Sequence, residues 1–252
     1  MDATRIAAAA ARLIAARREG CLVSLADVAP ANRAEAYAVQ DVVLREIGPV
    51  GGWKVGAKGP ALEPACAPMP ASGLFAAPAR LAGASWRLRG IETEIAVRLD
   101  CDLPSRIAPY SRDDVLTAIG AVLPVIEVVE TRLVEFPGGA PDCLLADLNS
   151  HGALVLGKEL PLPPGVLDGS RLRVRQSFNS KEVAQTQGGN PAVDLLRLLT
   201  WLANHCAQRG KPLQAGQVVT TGSCTGMLFA PAGAGVRGEI DGVGAVEVQF
   251  QD

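Results

Sequence analysis

This sequence is short of histidine and aromatic residues, carries no excess of either charge, and has no long apolar run. Lys and Arg number 24 against 26 Asp and Glu, for a net charge of -2, which gives nucleic acid nothing to hold. No stretch approaches the roughly 18 to 20 continuous apolar residues that span a bilayer, so no membrane partner is expected. The six cysteines (Cys21, Cys66, Cys101, Cys143, Cys206, Cys224) contain no C-x-x-C pair. A thiolate zinc site is therefore not indicated, a chain of this length needs no disulfide staple, and reduced core thiols are expected.

What remains is a chain of 252 residues, 48% hydrophobic, long enough to bury a sizeable core. The opening "MDATRIAAAAARLIAARREG" is broken by Asp2, Arg5, Arg12, Arg17 and Arg18. It reads as an amphipathic helix rather than a signal peptide, and a cytoplasmic location is expected. A second helix is expected in "NRAEAYAVQDVVLREIG", with Asn32 as N-cap, Gly48 as stop, and Tyr37 and Gln40 on one face. "GWKVGA" reads as a short strand, followed by a Pro- and Ala-rich loop from Gly59 to Pro78 of the kind that covers sites. "GIETEIAVRL" is a strand, "SRDDVLTAIGAVL" a helix with a Ser111/Asp114 capping box, and "PVIEVVETRL" a strand. A long helix is expected after Asn190 and Pro191, through "AVDLLRLLTWLANHCAQ" to Gly210. "QVVTTG" and a hairpin of "AGVRGEID" and "GAVEVQF" close the chain. No repeat or low-complexity linker interrupts it. The expectation is one α+β domain over 1–252, helical over 1–50 and β-rich over 51–252.

The chemistry concentrates in acids on strands. Residues two apart on a strand share a face, so Glu92 and Glu94 would project side by side, roughly 7 Å apart at the backbone. Like charges that close repel unless a cation lies between them. Glu127 sits among Val125, Ile126, Val128 and Val129, whereas Glu130, three residues on, faces the other way. Three carboxylates suit a hard divalent ion such as Mg²⁺ or Mn²⁺. The plain alternative makes Glu92 and Glu94 the wet face of an edge strand and pairs Glu127 with an arginine.

Taken together, "AYAVQ", "GWKVG", "ETEIAVRL", "VIEVVETR", "ADLNSHGALVLG" and "WLANHCAQRGKPLQAGQVVTTGSCTG" resemble, in order and spacing, the fumarylacetoacetate hydrolase superfamily. Within it they are similar to the 2-keto-4-pentenoate hydratase and 4-oxalocrotonate decarboxylase branch. The resemblance implies a mixed β-sheet roll, a fumarylacetoacetase C-terminal-like fold with peripheral helices. It implies Mg²⁺ or Mn²⁺ held by Glu92, Glu94 and Glu127, chelating a 2-oxoacid substrate and stabilising an enolate. The implied activity is a lyase reaction, either hydration of a 2-hydroxy-2,4-dienoate or decarboxylation of a 4-oxalocrotonate-like diacid. Alternatives are an acylpyruvate C–C hydrolase, or a catalytically impaired assembly partner of the same fold. A homo-oligomer is expected because closed symmetric assemblies are common, and the resemblance adds a hetero-complex with a related hydratase or decarboxylase as a further option.

Residue by residue, the resemblance makes Lys54 of "GWKVG" the catalytic and substrate-binding lysine, and places Asp147 and Asn149 of "ADLNS" near substrate. Ser223 and Thr225 of "TTGSCTG" would donate to a substrate carboxylate, among glycines that let backbone N–H groups approach an anion. That string is not G-x-S-x-G, so no hydrolase nucleophile elbow is indicated. Neither His151 nor His205 follows the hydrolase dyad spacing; the resemblance places His151 beside a segment near the pocket, where it could touch substrate, and His205 reads as a solvated or partly packed helix residue. Two departures from the family stand out. Ala71 in "MPASGLF" occupies the place of an acid thought to act with the lysine, and Asp147-Leu148-Asn149 replaces a common Asp-Asn. Both bear on the hydratase chemistry and leave the metal site intact, with Lys54, Ser72 or water as the remaining proton carriers.

Overall fold

A computed structural model describes residues 2–138 and 140–251. Three helices open the chain: α1 (Ala3–Glu19), α2 (Leu25–Val28) and α3 (Arg33–Ile47). Asn32 caps α3 as expected, its side chain accepting the Glu35 N–H at 3.0 Å, and the helix ends at Gly48 with φ 116°. Tyr37 and Gln40 share its buried face. The Tyr37 hydroxyl accepts from Cys66 N at 3.3 Å, and Gln40 Nε2 donates to the carbonyls of Cys66 (3.2 Å) and Leu145 (2.5 Å).

Next come strands β1 (Val50–Gly56), β2 (Ala65–Pro70), β3 (Leu74–Ala76), β4 (Ala79–Ala82) and β5 (Gly90–Leu99). Helix α4 (Arg112–Ala118) leads into β6 (Ile119–Val129), and α5 (Pro141–Ala146) into β7 (His151–Leu156). The hairpin β8 (Arg173–Phe178) and β9 (Lys181–Gln187) precedes helix α6 (Leu195–Gln208). Strands β10 (Val218–Thr220), β11 (Leu228–Phe229), β12 (Gly235–Ile240) and β13 (Gly244–Gln251) complete the fold. Among the described residues these form two mixed sheets, one ordered β2-β1-β10-β5-β6-β7-β3 with β11 on β5, the other β4-β13-β12-β8-β9. This is the α+β architecture of packed mixed sheets and outer helices that the resemblance implied.

The core has three parts. Trp53, Val55, Ile95 and Val97 pack under α1, α3 and α6, where Leu195, Leu198, Leu199 and Leu202 recur at helical spacing. Each such side chain contributes about 1.5–3 kcal/mol on burial. Between the sheets, Ile91, Ile126 and Val128 meet Val236, Val246, Val248 and Phe250. Met69, Ala96, Leu123, Val125, Leu154 and Val218 form a third cluster. Ladder partners share a face, and this cluster lies on the face that carries Glu92, Glu94 and Glu127.

The structure corrects four expectations. The supposed loop from Gly59 to Pro78 holds β2, a 3-10 turn (Ala71–Gly73) and β3. Pro68 and Pro70 looked like loop punctuation, but β2 is the sheet edge, where a missing N–H need not break the ladder. The helix at Ser111 keeps its capping box yet stops at Ala118, because Ile119–Val129 pair along β5. A buried apolar strand and a buried helix look alike in periodicity. Helix α6 starts at Leu195, capped by Asp194, since Val193 (φ 63°) and the Asn190 side chain bonded to Ala192 N at 3.0 Å hold 190–194 in a turn. Of the six free thiols, Cys66, Cys143, Cys206 and Cys224 are buried, but Cys21 and Cys101 are exposed rather than in the core. No described helix is long and apolar enough to cross a membrane.

Candidate active site

The antiparallel β5–β6 ladder builds the centre of the site. Glu92 pairs directly with Glu127, and Glu94 with Val125, so all three carboxylates emerge on one face. Their oxygens lie within 4.8 Å of one another. Strand β5 is flanked by β10 and β6, so these acids are not the wet face of an edge strand. Strand β10 sits between β1 and β5 and aligns Lys54 with Thr220, and Thr220 with Ala96. From there Lys54, itself buried, pairs with Glu127 Oε1 and donates to the Asn149 carbonyl at 3.0 Å. Glu94 Oε2 accepts from the Thr220 hydroxyl and from Gly222 N at 2.9 Å.

Electrostatics distinguish the three acids. Burial and the nearby Glu127 push the Glu92 carboxyl up to about 7. Burial, Glu127 and Glu92 drive Glu94 well above the ordinary carboxylate range. Burial would also raise Glu127, but the Lys54 ammonium and His151 outweigh it and hold that carboxyl below its usual value. One ammonium therefore faces two buried carboxyls and a half-buried third, whose full ionisation would leave a surplus of negative charge that a small divalent cation offsets and that oxygen donors of this kind bind well.

Asp147 does not join this cluster. Wholly buried, its carboxylate accepts from Arg132 N (3.0 Å), Arg132 Nε (2.8 Å) and Arg17 of α1 (3.0 Å). That pairing anchors Leu148, Asn149 and Ser150, three successive residues with φ of 51°, 52° and 58°. Such strain persists only where surroundings over-determine it. Its product is the Asn149 carbonyl, not the exposed Asn149 side chain, aimed at Lys54. Next to it, His151 is wholly buried with Nδ1 3.8 Å from Glu127 Oε1, and burial pushes its imidazole down to about 4.

On the opposite flank, Ser223 Oγ is buried without a hydrogen bond of ordinary geometry, yet close enough to favour the ionised form of Glu92. Thr225 is engaged: its hydroxyl accepts from Thr93 N at 3.2 Å and meets Gln176 Oε1 at 3.2 Å. Thr93 Oγ1 also donates to Gln176 Oε1 at 2.8 Å, tying the acid-bearing strand to the second sheet. Ala71 and Ser72 are exposed on the 3-10 turn. His205 lies away from the acids, stacked on Trp201 with ring centroids 4.4 Å apart. Sequence reasoning missed Arg17, Arg132 and Gln176. Arg132 closes "VVETR" and could have been noticed, whereas no local pattern marks Arg17 or Gln176.

Fold and acid cluster together define an enzyme class, and the chain belongs to the fumarylacetoacetate (FAA) hydrolase C-terminal family, whose profile matches residues 62–251. A 2-keto-4-pentenoate hydratase of Burkholderia vietnamiensis is 30% identical over 268 residues, covering 100% of this chain and 99% of the relative. The 2-keto-4-pentenoate hydratase of Paraburkholderia xenovorans is 30% identical over 161 residues, 64% of this chain. That match spans 58% of the relative's length. A 4-oxalocrotonate decarboxylase from Pseudomonas putida G7, complexed with magnesium and adipate, superposes with TM-score 0.87 over 100% of this chain and 99% of that one, at 23% identity.

Proposed function

We propose that the protein is a divalent-metal-dependent lyase acting on a 2-oxoacid or 2-hydroxy-2,4-dienoate, by hydration or by decarboxylation. The observation that carries this reading is the set of three glutamate oxygens within 4.8 Å, with one lysine paired to the cluster. The hydratase and decarboxylase relatives support it, and the decarboxylase structure with magnesium points to the same class of ion.

In this reading Glu92, Glu94 and Glu127 hold Mg²⁺ or Mn²⁺. A divalent ion there supplies a Lewis acid that draws electron density from the 2-oxo group and the adjacent carboxylate. Lys54 is the catalytic group: held between Glu127 and the Asn149 carbonyl, its ammonium presents a proton to substrate oxygens. Ser223, with its hydroxyl uncommitted, donates to the substrate carboxylate. Thr225 and Asp147 serve by fixing strand β5 and the 147–151 loop. Exposed Ala71 brings no titratable group, so a hydration here moves its proton through Lys54, Ser72 or water. A single folding unit, a cytoplasmic location, homo-oligomeric assembly and a mixed complex with a related hydratase or decarboxylase belong to the same proposal.

The test follows 2-hydroxypenta-2,4-dienoate and 4-oxalocrotonate separately, with purified protein and Mg²⁺ or Mn²⁺. Metal-dependent consumption of one substrate, abolished by Glu94→Gln, is the expected result. Consumption of neither above buffer overturns the reading.

A further inference from the structure

His151 is a site residue that no hydrogen bond accounts for. In a regular strand its side chain would point the way of Ala153 and Val155, into the layer between the sheets. The ladder slips just there: Val128 pairs with Ala153, but Val129 pairs with His151, leaving Gly152 as an extra residue. A bulge of this kind re-aims a side chain. Here it turns the imidazole onto the face of Glu127.

One glycine lets the bulge pack against β6 and another makes room for the ring. A Cβ at position 152 would lie 2.6 Å from the Val128 carbonyl oxygen and 2.8 Å from Glu130 Cβ. One at Gly73 would lie 3.0 Å from His151 Nε2. Yet neither ring nitrogen of this wholly buried imidazole has a hydrogen-bond partner among the described residues. A buried polar group left unsatisfied destabilises the fold, which a purely structural histidine would not account for. Ser223 Oγ is the matching case beside Glu92. Uncommitted hydrogen-bonding groups thus flank the acids on two sides, one next to Glu92 and one next to Glu127.

Building on the 2-oxoacid reading above, we propose that His151 contacts substrate, hydrogen-bonding the distal carboxylate of a 2-oxo diacid while Ser223 and Lys54 hold the 2-oxoacid end. The residue then sets a preference for diacids over monoacids of equal length.

The test is titration calorimetry on Mg²⁺-loaded protein with oxalate, 2-oxoadipate and 2-oxohexanoate. Wild type is expected to bind 2-oxoadipate at least tenfold more tightly than 2-oxohexanoate. His151→Leu should erase that preference and leave oxalate affinity within twofold, and His151→Asn should restore part of it. Should His151→Leu not fold, loss of most of the preference in His151→Asn, with oxalate unchanged, supports the proposal and full retention overturns it. It also fails if wild type shows no preference, if His151→Leu keeps it, or if all three ligands weaken alike, which would mean the ring acts through Glu127. If wild type binds not even oxalate, the 2-oxoacid reading itself falls and takes this proposal with it.

Discussion

Glu92 and Glu127 stand directly opposite one another in the β5–β6 ladder, two acids where a sheet ordinarily avoids like charge. The arrangement favours ion binding at the expense of the metal-free fold. Glu92→Gln is therefore expected to stabilise the metal-free protein by up to about 1 kcal/mol, or roughly 2–4 °C in Tm. The same change should weaken Mn²⁺ binding by at least the roughly 10–100-fold that loss of a mere supporting group costs a metal site. Thermal melts and calorimetry read both effects; a destabilised variant with intact ion affinity contradicts the arrangement.

The raised acids set a pH dependence. Glu92 ionises near 7 in the fold rather than at 4.5, and Glu94 is raised as well. An acid with a raised folded pKa stabilises the fold below its unfolded pKa and loses that contribution as pH climbs through the folded value. Without added metal, their contribution to stability should thus decline from about pH 4.5 to beyond 7. Glu127, held low, acts oppositely and only in acid. Since the ion needs ionised carboxylates, Mg²⁺ affinity should rise from pH 6 to pH 8 with proton release. Affinity flat across that range would contradict the prediction.

Thr93 presses on the second sheet at Gly238. A Cβ there would lie 2.6 Å from Thr93 Oγ1 and 2.7 Å from its Cγ2. Gly238→Ala is expected to cost about 1–3 kcal/mol, as overpacking does. Adding Thr93→Ala should recover at least about 1 kcal/mol, a coupling typical of touching residues. Denaturant melts of the two singles and the double measure it, and simple additivity would refute the contact.

Asp147 lies between two guanidiniums, with Arg132 at 2.8 Å and Arg17 at 3.0 Å. Asp147→Ala is expected to destabilise the protein by about 3–5 kcal/mol, since it strands buried positive charge. Arg17→Met should cost less, because Arg132 still satisfies the carboxylate. Urea unfolding gives both values; an Asp147→Ala variant as stable as wild type would show that the cluster holds nothing.

Alternation around Glu92 and Glu94, the caps at Asn32 and Ser111 and the glycine at Gly48 were legible in the sequence because each acts within a few residues. The acid trio was legible in kind, though only ladder register shows that Glu92 opposes Glu127. Strand β2 was hidden by prolines tolerated at an edge, and β7 by the Gly152 bulge that breaks its alternation. The role of Asp147 was out of reach, since its partner Arg17 lies 130 residues away.

Strand β10 is three residues long, yet it is the wedge that joins the lysine strand to the acid strand. During synthesis on the ribosome, Lys54, Glu92, Glu94 and Glu127 all emerge well before Val218–Thr220. A nascent chain therefore holds every charged group of the centre without the spacer that sets them in line. Alignment of the lysine with the acids therefore depends on a segment made after all four of those residues.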